Sequence, residues 1–311
     1  MTFISPMVLV AIGVLLGSSM DTIIKAIAVD VNVFAVTTWR YLLGAVIIST
    51  LYVGIRRALP SFEAIRFHAF RGVCQVVTAM SFFWSLTQLG LAEATVLGFT
   101  AALLIAPIAW VVLGERINKA TIIAAFIGFA GAVFALSGDL EGGPEGGNRL
   151  LGAVAALVSA CGYALVLVLL RLRAQKEDSL TTMFFTNVVP ATYLLVIAGG
   201  MVMFGSSYMA EEMAKGFEYF LALFVVAAMG VSCWWLFTIG YSRAPAQKLA
   251  PLDYTALIWG AGFGYLFFEE KPAWQLYIGA ILIIITCLFV AFERKFINRR
   301  ETKLPTSDLM D

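Results

Sequence analysis

Long apolar runs recur along the whole 311-residue chain, each about the length that crosses a bilayer. A spanning helix needs roughly 20 such residues. On that measure the runs fall at 5–29, 34–54, 69–89, 92–113, 120–138, 149–170, 180–204, 218–240, 246–268 and 273–292. They are continuous rather than alternating, which favours helices over barrel strands. The pattern predicts an all-α polytopic membrane protein of ten transmembrane helices. The first run is too long for a signal-peptide core and has no basic leader or small-residue cleavage pattern, so it is expected to be retained as a span.

Composition agrees with the pattern. Hydrophobic residues make up 61% of the chain and charged residues 13%, about half the charged share of a soluble domain. The net charge of +1 gives no reason to expect a nucleic-acid partner, because surfaces that follow phosphates are strongly basic. The four cysteines all lie in apolar runs without a CxxC spacing, and they read as small buried hydrophobes with no disulfide expected. With one histidine, His68, no His/Cys metal cluster is expected.

Basic residues set the expected orientation. With the N-terminus in the cytoplasm, inside loops hold sixteen Lys and Arg residues and outside loops hold three, Arg149, Lys215 and Lys271. Both termini are therefore expected to be cytoplasmic. The acidic, glycine-rich stretch DLEGGPEGGN, 139–148, reads as an external linker between five spans and five spans. An odd number of spans per half turns the second half upside down, the inverted-repeat plan of many secondary transporters. The expected division is 1–138 for the first repeat, 149–293 for the second and 294–311 for a cytoplasmic tail. A gap-free alignment of spans 4 and 9 pairs Glu115 with Glu269 and Ala92 with Ala246.

Several segments resemble the drug/metabolite transporter superfamily in its EamA-type branch. GSSMDTIIKAI resembles the family's first helix, with Lys25 at its lysine, and TTWRYLLGAVI the second, with Arg40 at its arginine. LGLAEATVLGF followed by LGER resembles the fourth, with Glu115 at its glutamate. APLDYTALIWGAGFGYLFFEEKP resembles the ninth, with Pro251, Asp253, Tyr254, Thr255 and Glu269. Two features depart from the pattern: Pro107 stands one turn later than the expected proline, and Asp21 replaces an uncharged residue. The resemblance implies ten helices around a central cavity and alternating-access carriage of small metabolites, often outward. The expected cargo is a small polar metabolite such as an amino acid, exported; the alternative is uptake or exchange of a vitamin or nucleotide-like compound. A bacterial inner-membrane location follows from the same resemblance.

Ionisable groups within spans are costly, by roughly 2.5–3.5 kcal/mol each, and so mark candidate sites. Four lie well inside: Asp21, Lys25, Arg40 and Asp253. Asp21 and Lys25 are one helical turn apart on one face, and Arg40 lies at a similar depth. Lys25 and Arg40 read either as a packing network or as binding or gating cations. Asp21 reads as a substrate or proton partner, or simply as the partner of Lys25. Asp253 reads as a binding group, or as a cap for amides freed near Pro251.

Gln75, Thr78 and Ser81 recur at three-residue spacing and form a polar stripe that Trp84 extends; such a stripe faces protein or water rather than lipid. Tyr163, Trp234 and Trp259, with Tyr254 and Thr255, are the other expected solute-facing residues. Glu115 and Glu269 are expected to be structural or gating groups, and Asn187 structural. GAGFG at 260–264 falls mid-span and is not a nucleotide fingerprint. No Walker sequence, cofactor site or concentrated catalytic set is present in the sequence, so an enzyme is not expected. The expected partners are a small solute, the bilayer and coupled protons, in a monomer or weak dimer.

Overall fold

The computed structural model describes residues 5–55, 61–114, 119–138, 144, 146–173, 177–204, 216–243, 252 and 255–301. Its regular elements among those residues are helices. They are α1 (Pro6–Ile27), α2 (Val33–Ile55), α3 (Phe62–Gln88), α4 (Leu91–Gly98), α5 (Thr100–Leu113) and α6 (Lys119–Ala135). After the central linker come α7 (Arg149–Arg173), α8 (Ser179–Met203), α9 (Phe217–Arg243), α10 (Thr255–Phe268) and α11 (Trp274–Glu301).

The starts follow local chemistry. Pro6 opens α1 where its missing N–H costs nothing. Ser61 caps α3 by accepting from the Ala64 N–H at 3.2 Å, and Asp178 caps α8 by accepting from the Thr181 N–H at 3.0 Å. The Ser61 cap starts α3 at Phe62, seven residues ahead of the apolar run that begins at 69. Its first three turns therefore carry Glu63, Arg66, His68 and Arg71. The fourth apolar run forms two helices rather than one. They meet at Phe99, whose N–H is shared between the Thr95 and Val96 carbonyls, a tightened turn of the kind that joins helices. Pro107 lies inside α5, well past that joint.

Six stretches among the described residues are long and apolar enough to cross a membrane: α1, α2, Leu91–Val112 across α4 and α5, Arg149–Leu169, α8 and Phe217–Gly240. Ile122–Ala135, Thr255–Phe268 and Trp274–Thr286 are apolar but shorter. Large side chains such as Val111, Phe126, Leu266 and Ile285 face outward, a surface suited to acyl chains rather than water. This is a multi-pass membrane protein.

In lipid, helices associate mainly through close packing rather than through the hydrophobic effect. The principal pairings are α6 with α11, α3 with α7, α1 with α9 and α2 with α8. Next come α5 with α7, α1 with α10, α2 with α9, α3 with α8 and α4 with α10. Small residues allow the tightest crossings. A Cβ on Gly279 of α11 would fall on the Gly131 carbonyl of α6, and one on Gly13 of α1 would lie 2.8 Å from the Phe237 ring of α9.

Candidate functional site

The site is built from the outlying charges upward. Lys25 and Asp21 do share a face of α1, but Lys25 does not answer Asp21. Its Nζ pairs with Glu270 Oε1 at 2.8 Å, with the two side chains only 6% and 1% exposed. The same ammonium donates to the Leu86 carbonyl at 3.1 Å and to that of Leu89. Those carbonyls are left over where α3 ends, as the last turn of any helix leaves them. The other oxygen of Glu270 accepts the Leu91 N–H at 2.8 Å, one of the orphan donors that open α4. One ion pair thus joins the ends of α1, α3 and α10 to the start of α4. Gly264 on α10 makes room for it, since a Cβ there would lie 2.6 Å from Glu270 Oε2.

Beside this junction, Glu93 in the first turn of α4 accepts from Arg149 Nε at 3.0 Å and from the Gly90 N–H at 3.3 Å. Gln88 accepts the Asn148 N–H at 2.8 Å. This end of the bundle is closed by polar groups that pair with one another, Glu270 and Glu93 buried and Arg149 and Asn148 toward the surface. At the opposite end His68, 2% exposed, lies 2.6 Å from Glu177 through Nε2 and stacks on Phe185 at 4.4 Å. Arg71 donates to Thr186 Oγ1 at 2.7 Å, while its Nε and the Oε1 of Gln75 one turn on have no hydrogen-bond partner among the described residues.

Arg40, 7% exposed, crosses the interior from α2. Its guanidinium lies over the rings of Tyr41 at 4.6 Å and Phe83 at 5.5 Å, and Nε approaches the Met20 sulfur at 3.4 Å. Asp21 is partly buried. It is within electrostatic reach of Arg40, yet no basic group lies within ion-pair distance among the described residues.

The other expected residues divide by surroundings. Tyr163 and Trp234 approach at 6.4 Å between ring centres, from α7 and α9, two helices that are not packed side by side. Trp259 packs on the Val10 and Val14 cluster and stacks on Phe263 at 5.9 Å. Thr78 lies at the α3–α7 crossing: Gly162 abuts its side chain, and its carbonyl accepts from Ser159 Oγ at 2.9 Å. Ser81 is partly buried, Trp84 is exposed, and Thr255 turns its hydroxyl onto the Leu252 carbonyl at 2.6 Å. Asn187 bonds within α8 and fits against Gly44 of α2. Glu115, Asp253 and Tyr254 lie outside the described residues.

Glu269 is exposed and left-handed, with φ 56°, and its neighbour Glu270 makes the buried pair. Sequence reasoning passed over Glu270, Glu93 and Arg149. The signal that separates Glu270 from Glu269 lies in the folded backbone. Both α5 and α10 have 14 residues and end on a left-handed residue, Gly114 (φ 69°) and Glu269. Matched on those ends, Glu115 falls opposite Glu270 rather than Glu269.

A helical bundle with lipid-facing flanks, a charge-sealed end and isolated polar groups in its interior is the build of a membrane transport protein. The profile of the EamA-like transporter family matches residues 4–137 and again 150–292, and the chain belongs to that family. Among curated relatives, an S-adenosylmethionine uptake transporter of Rickettsia conorii is 25% identical over 91% of this chain and 92% of its own. A pseudopaline exporter of Pseudomonas aeruginosa is 22% identical over 89% and 93%. A riboflavin transporter of Brucella anthropi is 25% identical over 81% and 85%. A solved crystal structure aligns at a TM-score of 0.60 and 19% identity, covering 94% of this chain and 98% of that one, a likeness of fold. The relatives carry small-molecule solutes, and they differ in both cargo and direction.

Proposed function

We propose that the protein is a secondary-active, alternating-access exporter of a small polar metabolite, an amino acid or related compound, in a bacterial inner membrane. In this reading ten spans form two inverted five-helix halves, 1–138 and 149–293, with both termini and the 294–311 tail in the cytoplasm. The observation that carries the reading is an exchange. Replacing each span by the one five later (α1 by α7, α2 by α8, α3 by α9, α4–α5 by α10, α6 by α11) maps the pairings onto one another. Among the nine strongest pairings, α3–α7 becomes α9–α1, α5–α7 becomes α10–α1, α2–α9 becomes α8–α3, and α6–α11, α2–α8 and α4–α10 map onto themselves. Such exchange is what a pseudo-twofold axis in the membrane plane produces, and the double family match supports the same division.

With the N-terminus inside, the Lys25–Glu270 junction lies at the external end, so the structure is closed outward. Solute then binds beneath that junction, near Asp21, Gln75, Tyr163 and Trp234, with Asp253 and Tyr254 as further expected contacts. Outward release requires Lys25 and Glu270 to part. A second reading, uptake or exchange of a nucleotide-like metabolite, is favoured by the rickettsial relatives that match nine-tenths of the chain. Purified protein reconstituted with internal amino acids, S-adenosylmethionine or riboflavin is expected to show saturable counterflow of one labelled solute. Flux that rises linearly with concentration would instead indicate a channel and sink the carrier reading. The same vesicles under an imposed pH gradient test proton coupling, and sided preparations test direction.

A further inference from the structure

We propose that the interior bounded by α1, α2, α3 and α9 takes a dipolar solute, Arg40 holding its carboxylate and Asp21 its cationic group. The inference rests on the carrier reading and adds what the solute must carry. A charge inside a bilayer protein is retained only with a partner or a use. Lys25, His68 and Arg149 each face a carboxylate at close range. Arg71 donates to the Thr186 hydroxyl instead; among the described residues Arg40 has no carboxylate and Asp21 no cation at that range, although each is within electrostatic reach of the other. The two are not within ion-pair distance, so among the described residues each charge is left for a ligand group of opposite sign.

The surroundings of Arg40 are those of a held but unspent ligand group. The rings of Tyr41 and Phe83 lie 4.6 Å and 5.5 Å from its central carbon, contacts that hold the cation by its charge rather than through its N–H donors. A thioether, a weak acceptor, takes Nε. The terminal nitrogens have no acceptor among the described residues, and together they form the fork that binds a carboxylate with two hydrogen bonds. Space is kept for them by Gly230 of α9, where a Cβ would lie 3.0 Å from Nη2. Trp234 follows Gly230 by one turn on the same face and meets Tyr163, so the body of the solute has an aromatic wall next to its charged end. Asp21 sits one residue from Met20, the residue that touches Arg40, and its carboxylate supplies the opposite pole.

The test is a thermal-shift screen of the purified full-length protein against a metabolite library. Each stabilising compound is then titrated beside its carboxyl amide and its N-acetyl form. The expected result is that stabilising compounds are dipolar and that removing either charge weakens binding about ten-fold or more, as loss of a charged hydrogen bond does. Asp21→Asn is expected to make wild-type ligands and their N-acetyl forms bind alike, and Arg40→Met to do the same for the amides. Should Arg40→Met fail to fold, Asp21→Asn carries the test alone, being isosteric at a partly exposed position. Ligands with a single charge, unchanged affinity in Asp21→Asn, or a library in which no dipolar solute binds would overturn the proposal. Dipolar binding without saturable counterflow would sink the carrier reading and leave this inference standing, whereas counterflow of singly charged solutes would do the reverse.

Discussion

The Lys25–Glu270 pair makes a prediction whose size can be worked out. At 2.8 Å and an effective dielectric of about 20, two unit charges attract by about 6 kcal/mol. Desolvation of two nearly inaccessible groups offsets most of that, so the pair as a whole is only weakly stabilising, but removing one member strands the other at about 3–5 kcal/mol. Lys25→Met leaves the Glu270 carboxylate with the Leu91 N–H alone and uncovers the Leu86 and Leu89 carbonyls. Glu270→Gln keeps an acceptor for Leu91 and leaves the ammonium on two carbonyls, so it should be the milder of the two. The double variant should be less destabilised than the sum of the singles by about 2–4 kcal/mol, since neither charge is then left unpaired. The measurement is detergent-titration unfolding of purified protein followed by tryptophan fluorescence. The charge swap Lys25→Glu with Glu270→Lys sharpens the test. It sets a carboxylate against two carbonyl oxygens and an ammonium against an N–H, so it should not recover wild-type stability. Singles that add to within about 0.5 kcal/mol, or a swap as stable as the wild type, would refute the reasoning.

Further outcomes follow from the same geometry. Gly279→Ala should destabilise by about 1–3 kcal/mol, the usual cost of overpacking, because its methyl would fall on the Gly131 carbonyl and Ala135; the same unfolding titration reads it. His68→Phe keeps the stack on Phe185 but removes the imidazole partner of Glu177, at about 1–3 kcal/mol, and a second change of Glu177 to Gln should recover part of that loss. A reporter fused at Asp311 should read as cytoplasmic and one inserted at Gly146 as external; the opposite pattern would invert the proposed sidedness.

The fold was legible where hydropathy is the controlling physics. The limits of α1, α2, α7 and α8 lie close to those of the apolar runs. The limits of α3 and α11 were less legible, because a cap at Ser61 and a charged extension to Glu301 lengthen them beyond the apolar stretch. The candidate site residues, whose part in binding is the proposal above, divided on a different line. Asp21, Arg40, Tyr163 and Trp234 announced themselves as polar or aromatic groups inside spans. Glu270 did not, because FFEE at the end of span 9 offers two acids that hydropathy places equally outside the membrane. Only the left-handed backbone at Glu269 turns the second one back into the bundle. Lys25 pointed to Asp21 because they share a helix face, whereas its real partner arrives from the far end of the chain.

That reassignment bears on how a carrier can use charge. Had Lys25 been spent on Asp21, the end of α1 would hold a local pair worth only tenths of a kcal/mol at a wet helix surface, and nothing would tie α1 to α3, α4 and α10. By reaching Glu270 instead, Lys25 joins α1 to α3, α4 and α10, in the proposed reading at the end that must open, while Asp21, one turn back along α1, makes no ion pair among the described residues. A solute that satisfies Asp21 and Arg40 removes the cost of two unmatched interior charges. The energy so released can be spent on separating Lys25 from Glu270, because ligand binding shifts a conformational equilibrium by its difference in affinity between the two states. The closing pair and the binding pair are then adjacent on α1, so occupancy of one can be felt at the other through a single turn of helix.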